Sequence, residues 1–408
     1  MEMDVKHSAR VTSRCSHAVT RNTLPRLREA MTPLYELKRQ RVAALLLAGL
    51  LLGCDRDRSA VVIATVGPWG QANGQMHKRG VDLAIEHING AGGINGRPLK
   101  LVDRDDEASG IKATQIAAEF VADPSIIAVV GHVNSGAMLA AAPVYDGNLP
   151  AVSSTASSPD LTGISTWVFR VIASDSVSAI HMARFAKSTN VRNAAILYEN
   201  NAFGRGLMDP FRRNFSGTLI SVDPIPSDGK ADFEPYIAYL KTKQPDLVFV
   251  AGSEGSGLAL LREAQRQGLK TMFLGGVGWA GVTADTLAAE GAYVGVPFAI
   301  SDRRPEAQRF VDAFRAKYSR DPDAKAALAY DATMLVARGM ADAGANRKAV
   351  RDWLHGLSGS RSYTGVTSGE IQFDSTGDIA SGGFVMTRVE RGSLVAQAKL
   401  QTLGGFIR

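Results

Sequence analysis

Val61-Val62-Ile63-Ala64-Thr65-Val66-Gly67-Pro68 is the stretch from which the fold is read. Five of its first six residues are β-branched, which favours an extended chain, and Gly67-Pro68 stops it. An amphipathic stretch at 75–89 follows, with apolar residues recurring at helical spacing, and then a second short run at 99–103. The alternation continues with strands at 126–130 and 150–153 and helices at 111–123 and 136–146. Short apolar strands alternating with longer helices define an α/β fold with a parallel sheet covered by helices.

Beyond 170–172 the pattern starts again. Strands are expected at 194–198, 217–224, 247–251 and 272–274, and helices at 176–188, 204–214, 232–243 and 257–267. Two similar lobes in succession are implied. A mostly helical segment follows (304–318, 324–343 and 347–357), then a β-rich tail at 368–403. The late helices are most simply placed if the chain returns to complete the first lobe, and repeated crossings between two lobes make a hinge.

The chain has 408 residues, 45% hydrophobic and 21% charged, with a net charge of +6 and a mean hydropathy of −0.03. A basic pI of 9.3 is the signature of a nucleic-acid or anionic-membrane partner only when the charge lies on the folded body. Here it does not: residues 1–53 hold nine Lys or Arg against four acids, leaving 37 bases and 36 acids from Cys54 onward. Nucleic acid is excluded as an expected partner. Lys38, Arg39 and Arg41 precede an apolar run over 42–52 that ends at Gly53-Cys54, the layout of an export signal. That run is too short for an ordinary membrane-spanning helix. Leu51-Leu52-Gly53-Cys54 resembles a bacterial lipobox, which makes Cys54 the lipidated first residue of the mature chain and tethers it to the membrane; an ordinary secretory signal is the alternative. Met31 is a more typical start, and Asp55 resembles an inner-membrane retention signal. Cys15 lies in the leader, so the mature body offers no disulfide, cysteine nucleophile or cysteine metal site.

Neither a phosphate-loop motif, a G-x-S-x-G elbow nor an H-E-x-x-H motif is present, and the seven histidines have no metal spacing. Gly276-Val277-Gly278-Trp279-Ala280-Gly281 spells G-x-G-x-x-G, but Trp279 crowds the phosphate turn and no clean βαβ unit follows. No cofactor, metal or catalytic residue is expected.

Gly67-Pro68, the run Gly80-Val81-Asp82-Leu83-Ala84-Ile85-Glu86-His87-Ile88-Asn89-Gly90-Ala91-Gly92-Gly93-Ile94-Asn95-Gly96, Asp105-Asp106, Gly131-His132, the segment 153–159, Phe203-Gly204-Arg205-Gly206 and Gly268-Leu269 occur in that order. Together they resemble the branched-chain amino-acid (leucine/isoleucine/valine) family of periplasmic solute-binding proteins over about residues 60–390. The resemblance implies a type I periplasmic-binding fold, with two doubly wound α/β lobes joined by three crossovers around a ligand cleft. It divides the chain into a leader (1–53), a tether (54–59), a first lobe (60–174 plus 301–381) and a second lobe (175–300 plus 382–408). It further implies a monomer on the periplasmic side that captures a small amino acid, amide or carboxylate and delivers it to the permease subunits of an ABC importer. A sensor or regulatory lipoprotein of the same fold, binding a partner protein without transport, is the alternative.

The turn 131–136 lies between a strand and a helix start, where free N–H groups favour an anion. The resemblance assigns Ser135 to the ligand carboxylate, with Asn134 beside it and Thr155 and Ser157 from the next strand's loop. Taken singly, each hydroxyl is equally well a helix cap. Trp69 and Asn73 fall in the first strand-to-helix loop at the cleft rim. From the second lobe, Phe203 stands where relatives often carry Tyr, and Val277 stands where they carry the acid for the ligand ammonium. Either Glu254, in the loop after strand 247–251, takes over that role or the ligand is not an α-amino acid. Replacing Ser135 and Ser157 by Ala is expected to remove most ligand affinity and leave the melting temperature of the ligand-free protein nearly unchanged.

Overall fold

A computed structural model describes residues 59–227, 231–380 and 382–397, all within the unit Arg58–Arg408. The leader, Cys54 and the end of the expected β-rich tail lie outside the described residues. The first sheet is parallel with order β2-β1-β3-β4-β5, formed by β1 (Val61–Gly67), β2 (Leu99–Asp105), β3 (Ile126–Val130), β4 (Ala151–Ser153) and β5 (Val168–Arg170). Its helices are α1 (Ala72–Gly90), α2 (Gly110–Ala122) and α3 (Ser135–Tyr145).

The chain then passes through α4 (Asp175–Ser188) into a second sheet of order β12-β11-β10-β9-β8-β6-β7. Strands β6 (Asn193–Glu199), β7 (Thr218–Ile225), β8 (Leu247–Ala251), β9 (Met272–Gly275) and β10 (Tyr293–Val296) are parallel and repeat the order of the first sheet. Helices α5 (Ala202–Asn214), α6 (Glu234–Lys243) and α7 (Glu254–Gln267) connect them. After β10 the chain forms α8 (Pro305–Tyr318), α9 (Ala324–Ala343) and α10 (Arg347–His355), then returns to pair β11 (Val385–Glu390) antiparallel to β10, with β12 (Ser393–Ala396) outside it. Because α9 packs on α1 and β3, the chain crosses between the sheets three times.

In each sheet the strand order reverses between the first and third strands, so the crevices open at the carboxyl ends of β1/β3 and β6/β8. The close approach of α1 to α9 needs Gly80, where a Cβ would sit 2.2 Å from the Ala326 carbonyl oxygen. Met76 and Leu83 of α1 share a buried cluster with Phe310 and Phe314 of α8, Ala326 of α9 and Val250 of β8, so one apolar core runs between the two sheets. Burying a side chain of this size is worth about 1.5–3 kcal/mol, and together such residues fix the frame that holds the crevices.

Two strands escaped the sequence pattern. β5 is three residues long and carries Arg170, while β10 lies in a glycine-rich run. Arg170 is buried because it is fully paired: Nε and Nη2 donate to Asp378 at 2.5 Å each, Nη1 to the Ser158 carbonyl and Nη2 to Thr162 Oγ1. The tail is less regular than expected. Among the described residues it holds only β11, β12 and isolated bridges, since Gly, Ser and Asp keep breaking the ladder.

Candidate functional site

At the carboxyl end of the first sheet, three hydroxyls stitch two loops together. Ser135 is the first residue of α3, and its Oγ accepts from the N–H groups of Ser157 and Ser158, both at 3.2 Å. Ser153 Oγ donates to the His132 carbonyl at 2.9 Å, and Thr155 Oγ1 to the Val133 carbonyl at 2.8 Å. Asn134 holds the N-cap position of α3 without capping it; its Oδ1 accepts instead from Asn73 Nδ2 at 3.4 Å. The first turn of α3 therefore keeps donors with no side-chain partner, a favourable place for a carboxylate. Asn73 is in the first turn of α1 rather than in the preceding loop, because that helix begins at Ala72.

Ser157 Oγ and Asp175 Oδ2 are buried side by side, the hydroxyl facing the carboxyl. Asp175 opens α4 and its N–H donates to the Ser157 carbonyl at 2.8 Å. Burial pushes the Asp175 carboxyl up to about 7, opposed by the nearby Ser157 hydroxyl and by Arg170. The sign of the consequence is fixed. A carboxyl raised above its unfolded value adds stability in acid and loses it as pH rises from about 4 through 7. Asp175→Asn is therefore expected to make the ligand-free protein more stable than the parent at pH 7.5, with the difference vanishing near pH 4. Urea titrations at the two pH values check this, and an unchanged difference between them would rule it out.

Two buried networks support these loops. Asp106 Oδ2 lies 2.7 Å from His132 Nδ1, and His132 Nε2 lies 3.0 Å from the Tyr145 hydroxyl, so His132 is a hydrogen-bonded turn residue. Thr65 Oγ1 donates to the Val130 carbonyl and so accepts from His77 Nε2, which leaves His77 Nδ1 to accept from Ser154 Oγ. Burial lowers His77 to about 3 and keeps it neutral. Trp69 stacks on His77 with ring centroids 6.0 Å apart, and its backbone N–H donates to Asp105.

The second sheet presents its own loop anchor. Glu199, at the end of β6, is buried; its Oε1 accepts from Ser253 N–H, Ser253 Oγ and Ser256 Oγ, and its Oε2 from Asn201 Nδ2. Asn201 in turn caps α5 through Gly204 N–H at 2.8 Å. Phe203, in the first turn of α5, is half-buried and faces Gly278. Helix α5 contacts α3 and the turn Pro159–Leu161, bringing the two jaws together. Val277 lies in a 3-10 turn (Val277–Trp279) and packs against the cores of both sheets. The G-x-G-x-x-G stretch thus holds one short 3-10 turn around a fully buried Trp279, and a second turn (Val282–Ala284) follows it.

Glu254 is not a loop residue. It opens α7, and its Oε2 lies 3.2 Å from the ammonium of Lys325, which is only 4% exposed. The acid proposed to receive a ligand ammonium is already occupied by this chain's own lysine. The structure therefore gathers Ser135, Asn134, Asn73, Thr155 and Ser157 at one crevice, sets Phe203 and Val277 in the facing sheet, and commits Glu254 elsewhere. Asp175, Glu199, His77 and Lys325 were missed. Glu199 alone had a signal, as an acid ending an apolar strand. Among the described residues no cluster of His, Cys, Asp and Glu suits a metal.

Two α/β sheets of repeated topology, crossed three times and with their crevices facing, define a two-lobed solute-binding architecture. The family profile described as periplasmic binding protein matches residues 60–393, and the chain belongs to that family. Within it the chain falls among the branched-chain amino-acid ABC solute-binding proteins. It is 30% identical over 358 residues to the leucine-, isoleucine-, valine-, threonine- and alanine-binding protein of Pseudomonas aeruginosa, covering 84% of this chain and 93% of that one. An ABC transporter substrate-binding protein from Desulfitobacterium hafniense, solved with Leu, superposes with a TM-score of 0.72 at 29% identity, covering 83% of this chain and all (100%) of that one. LivJ of Streptococcus pneumoniae, solved with isoleucine, gives a TM-score of 0.76 at 25% identity over 83% and 98% of the two chains. Family membership makes this an exported periplasmic protein, and among the described residues no helix is long and apolar enough to cross a membrane.

Proposed function

We propose that the protein captures a small amino acid, amide or carboxylate between lobes 60–174 plus 301–381 and 175–300 plus 382–408, and hands it to the permease subunits of an ABC importer. A carboxylate is received at the start of α3 by Ser135 and the uncapped donors, with Ser157 beside it. Phe203 and Val277 close the apolar side, and Thr155, Asn134, Asn73 and Trp69 shape the rim. The observation that carries this reading is the uncapped start of α3, with the buried Ser135 and Ser157 hydroxyls beside it. The protein binds and releases without a chemical step, works as a monomer, and is tethered by lipid on Cys54 to the inner membrane.

A thermal-shift screen over amino acids, amides, short carboxylates and aromatic acids tests the reading, since a ligand at 100 times its Kd adds about 2.7 kcal/mol to the folded state. Leucine is expected to rank below amides and carboxylates, because Val277 offers no charge and Glu254 is neutralised by Lys325. A panel with no hit, together with capture of a partner protein, would favour the regulatory alternative instead.

A further inference from the structure

A cavity of about 280 Å³ lies between the sheets, away from the serines. Its walls come from the first turns of α1, the start of α7, the passage after β10, and the segment leading into α9. Neither Ser135, Ser157, Phe203 nor Val277 lines it.

Its charges are unevenly committed. Glu254 is paired with Lys325, Asp321 with Arg315, and Asp323 caps α9 while lying 3.9 Å from Lys325. The lining cations are different. The Arg79 guanidinium lies against the Met76 sulfur and the Tyr318 ring, and among the described residues neither it nor Arg320 pairs with a carboxylate. Glu254 and Asp323 share Lys325 and Asp321 is held by Arg315, so the two lining guanidinium groups are left without a carboxylate. Met76, Phe298 and Ala299 give the middle of the cavity an apolar floor. Gly281 keeps room for the Glu254 carboxylate, since a Cβ there would sit 2.0 Å from Oε2, so the acid stays on its lysine.

We propose that this cavity is a second binding site, selective for a small dicarboxylate, in which Arg79 and Arg320 each take one carboxylate and the apolar floor takes the chain between them. Guanidinium groups suit this role because their planar fork matches a carboxylate bidentately. Lys325 excludes amines by holding Glu254. The proposal goes beyond the solute carried at Ser135 and does not require it.

Titration calorimetry of the purified protein with succinate, butyrate and inorganic phosphate at matched ionic strength tests it. Succinate is expected to bind, butyrate and phosphate to bind at least about tenfold more weakly, and Arg79→Met to weaken succinate by about tenfold or more. Arg320→Gln, an exposed change that leaves the fold intact, is expected to weaken succinate in the same sense. The Ser135→Ala, Ser157→Ala double variant is expected to bind succinate as the parent does. Equal binding of succinate and butyrate, succinate binding untouched by both arginine changes, or succinate binding lost in the serine double variant would each overturn the assignment. The last outcome would place the dicarboxylate at the α3 crevice and leave the solute-binding reading standing.

Discussion

The Ser135→Ala, Ser157→Ala double variant is expected to lose about a hundredfold in affinity for the ligand found by the screen, close to 2.7 kcal/mol. Hydrogen bonds to a charged group contribute about 1.5–3 kcal/mol each, so the loss of two hydroxyls at a carboxylate is enough to account for it. The two serines differ in what they do without ligand. Ser135 Oγ is the acceptor for two N–H groups of buried residues, and removing it leaves them unpaired at about 1–3 kcal/mol each. The double variant should therefore melt several degrees lower, contrary to the expectation from sequence that its stability would be unchanged. Ser157 Oγ faces the Asp175 carboxyl and accepts from no backbone N–H, so Ser157→Ala alone should bind more weakly while losing less stability than Ser135→Ala. Calorimetry of both variants checks this, and full affinity in Ser157→Ala would remove that residue from the site.

The division between what could be read and what could not follows from range. The strand 61–66 and the helix after it are local patterns, and nothing in the folded protein competes with them. Gathering Ser135, Thr155 and Ser157 was legible as well, because loops after adjacent parallel strands must meet at one end of the sheet. Lys325 was not. It sits 71 residues from Glu254, at the second position of an alanine-rich helix, where its spacing resembles any surface lysine. Only the return of α9 to α1 brings its ammonium to the start of α7, and with it the answer to whether Glu254 is free. Asp175 was hidden for a related reason: an acid in the first turn of a helix is ordinarily an exposed partner of the helix dipole. Here the loop around Ser157 closes over it.

Glu199→Ala is expected to be among the most destabilising single changes in the second lobe, costing about 3–5 kcal/mol. Its carboxylate joins the end of β6 to the loop before α7 and to the cap of α5, so three elements lose their common acceptor at once. The Ser253 and Ser256 hydroxyls can rotate toward other acceptors, but the Ser253 N–H cannot do so without moving the backbone, nor the Asn201 side-chain amide without giving up its cap on Gly204. Glu199→Gln keeps an oxygen for the three donors at Oε1 and places an NH2 against the Asn201 amide, so it should cost less, about 1–2 kcal/mol. The order Ala, then Gln, then parent in urea titrations is the expected result. Amide exchange should show the loss first in the loop around Ser253 and the start of α5, because those are the groups that Glu199 holds. An alanine variant within about 1 kcal/mol of the parent would mean that the loop is held by its packing against Trp279 and Phe203 rather than by the carboxylate.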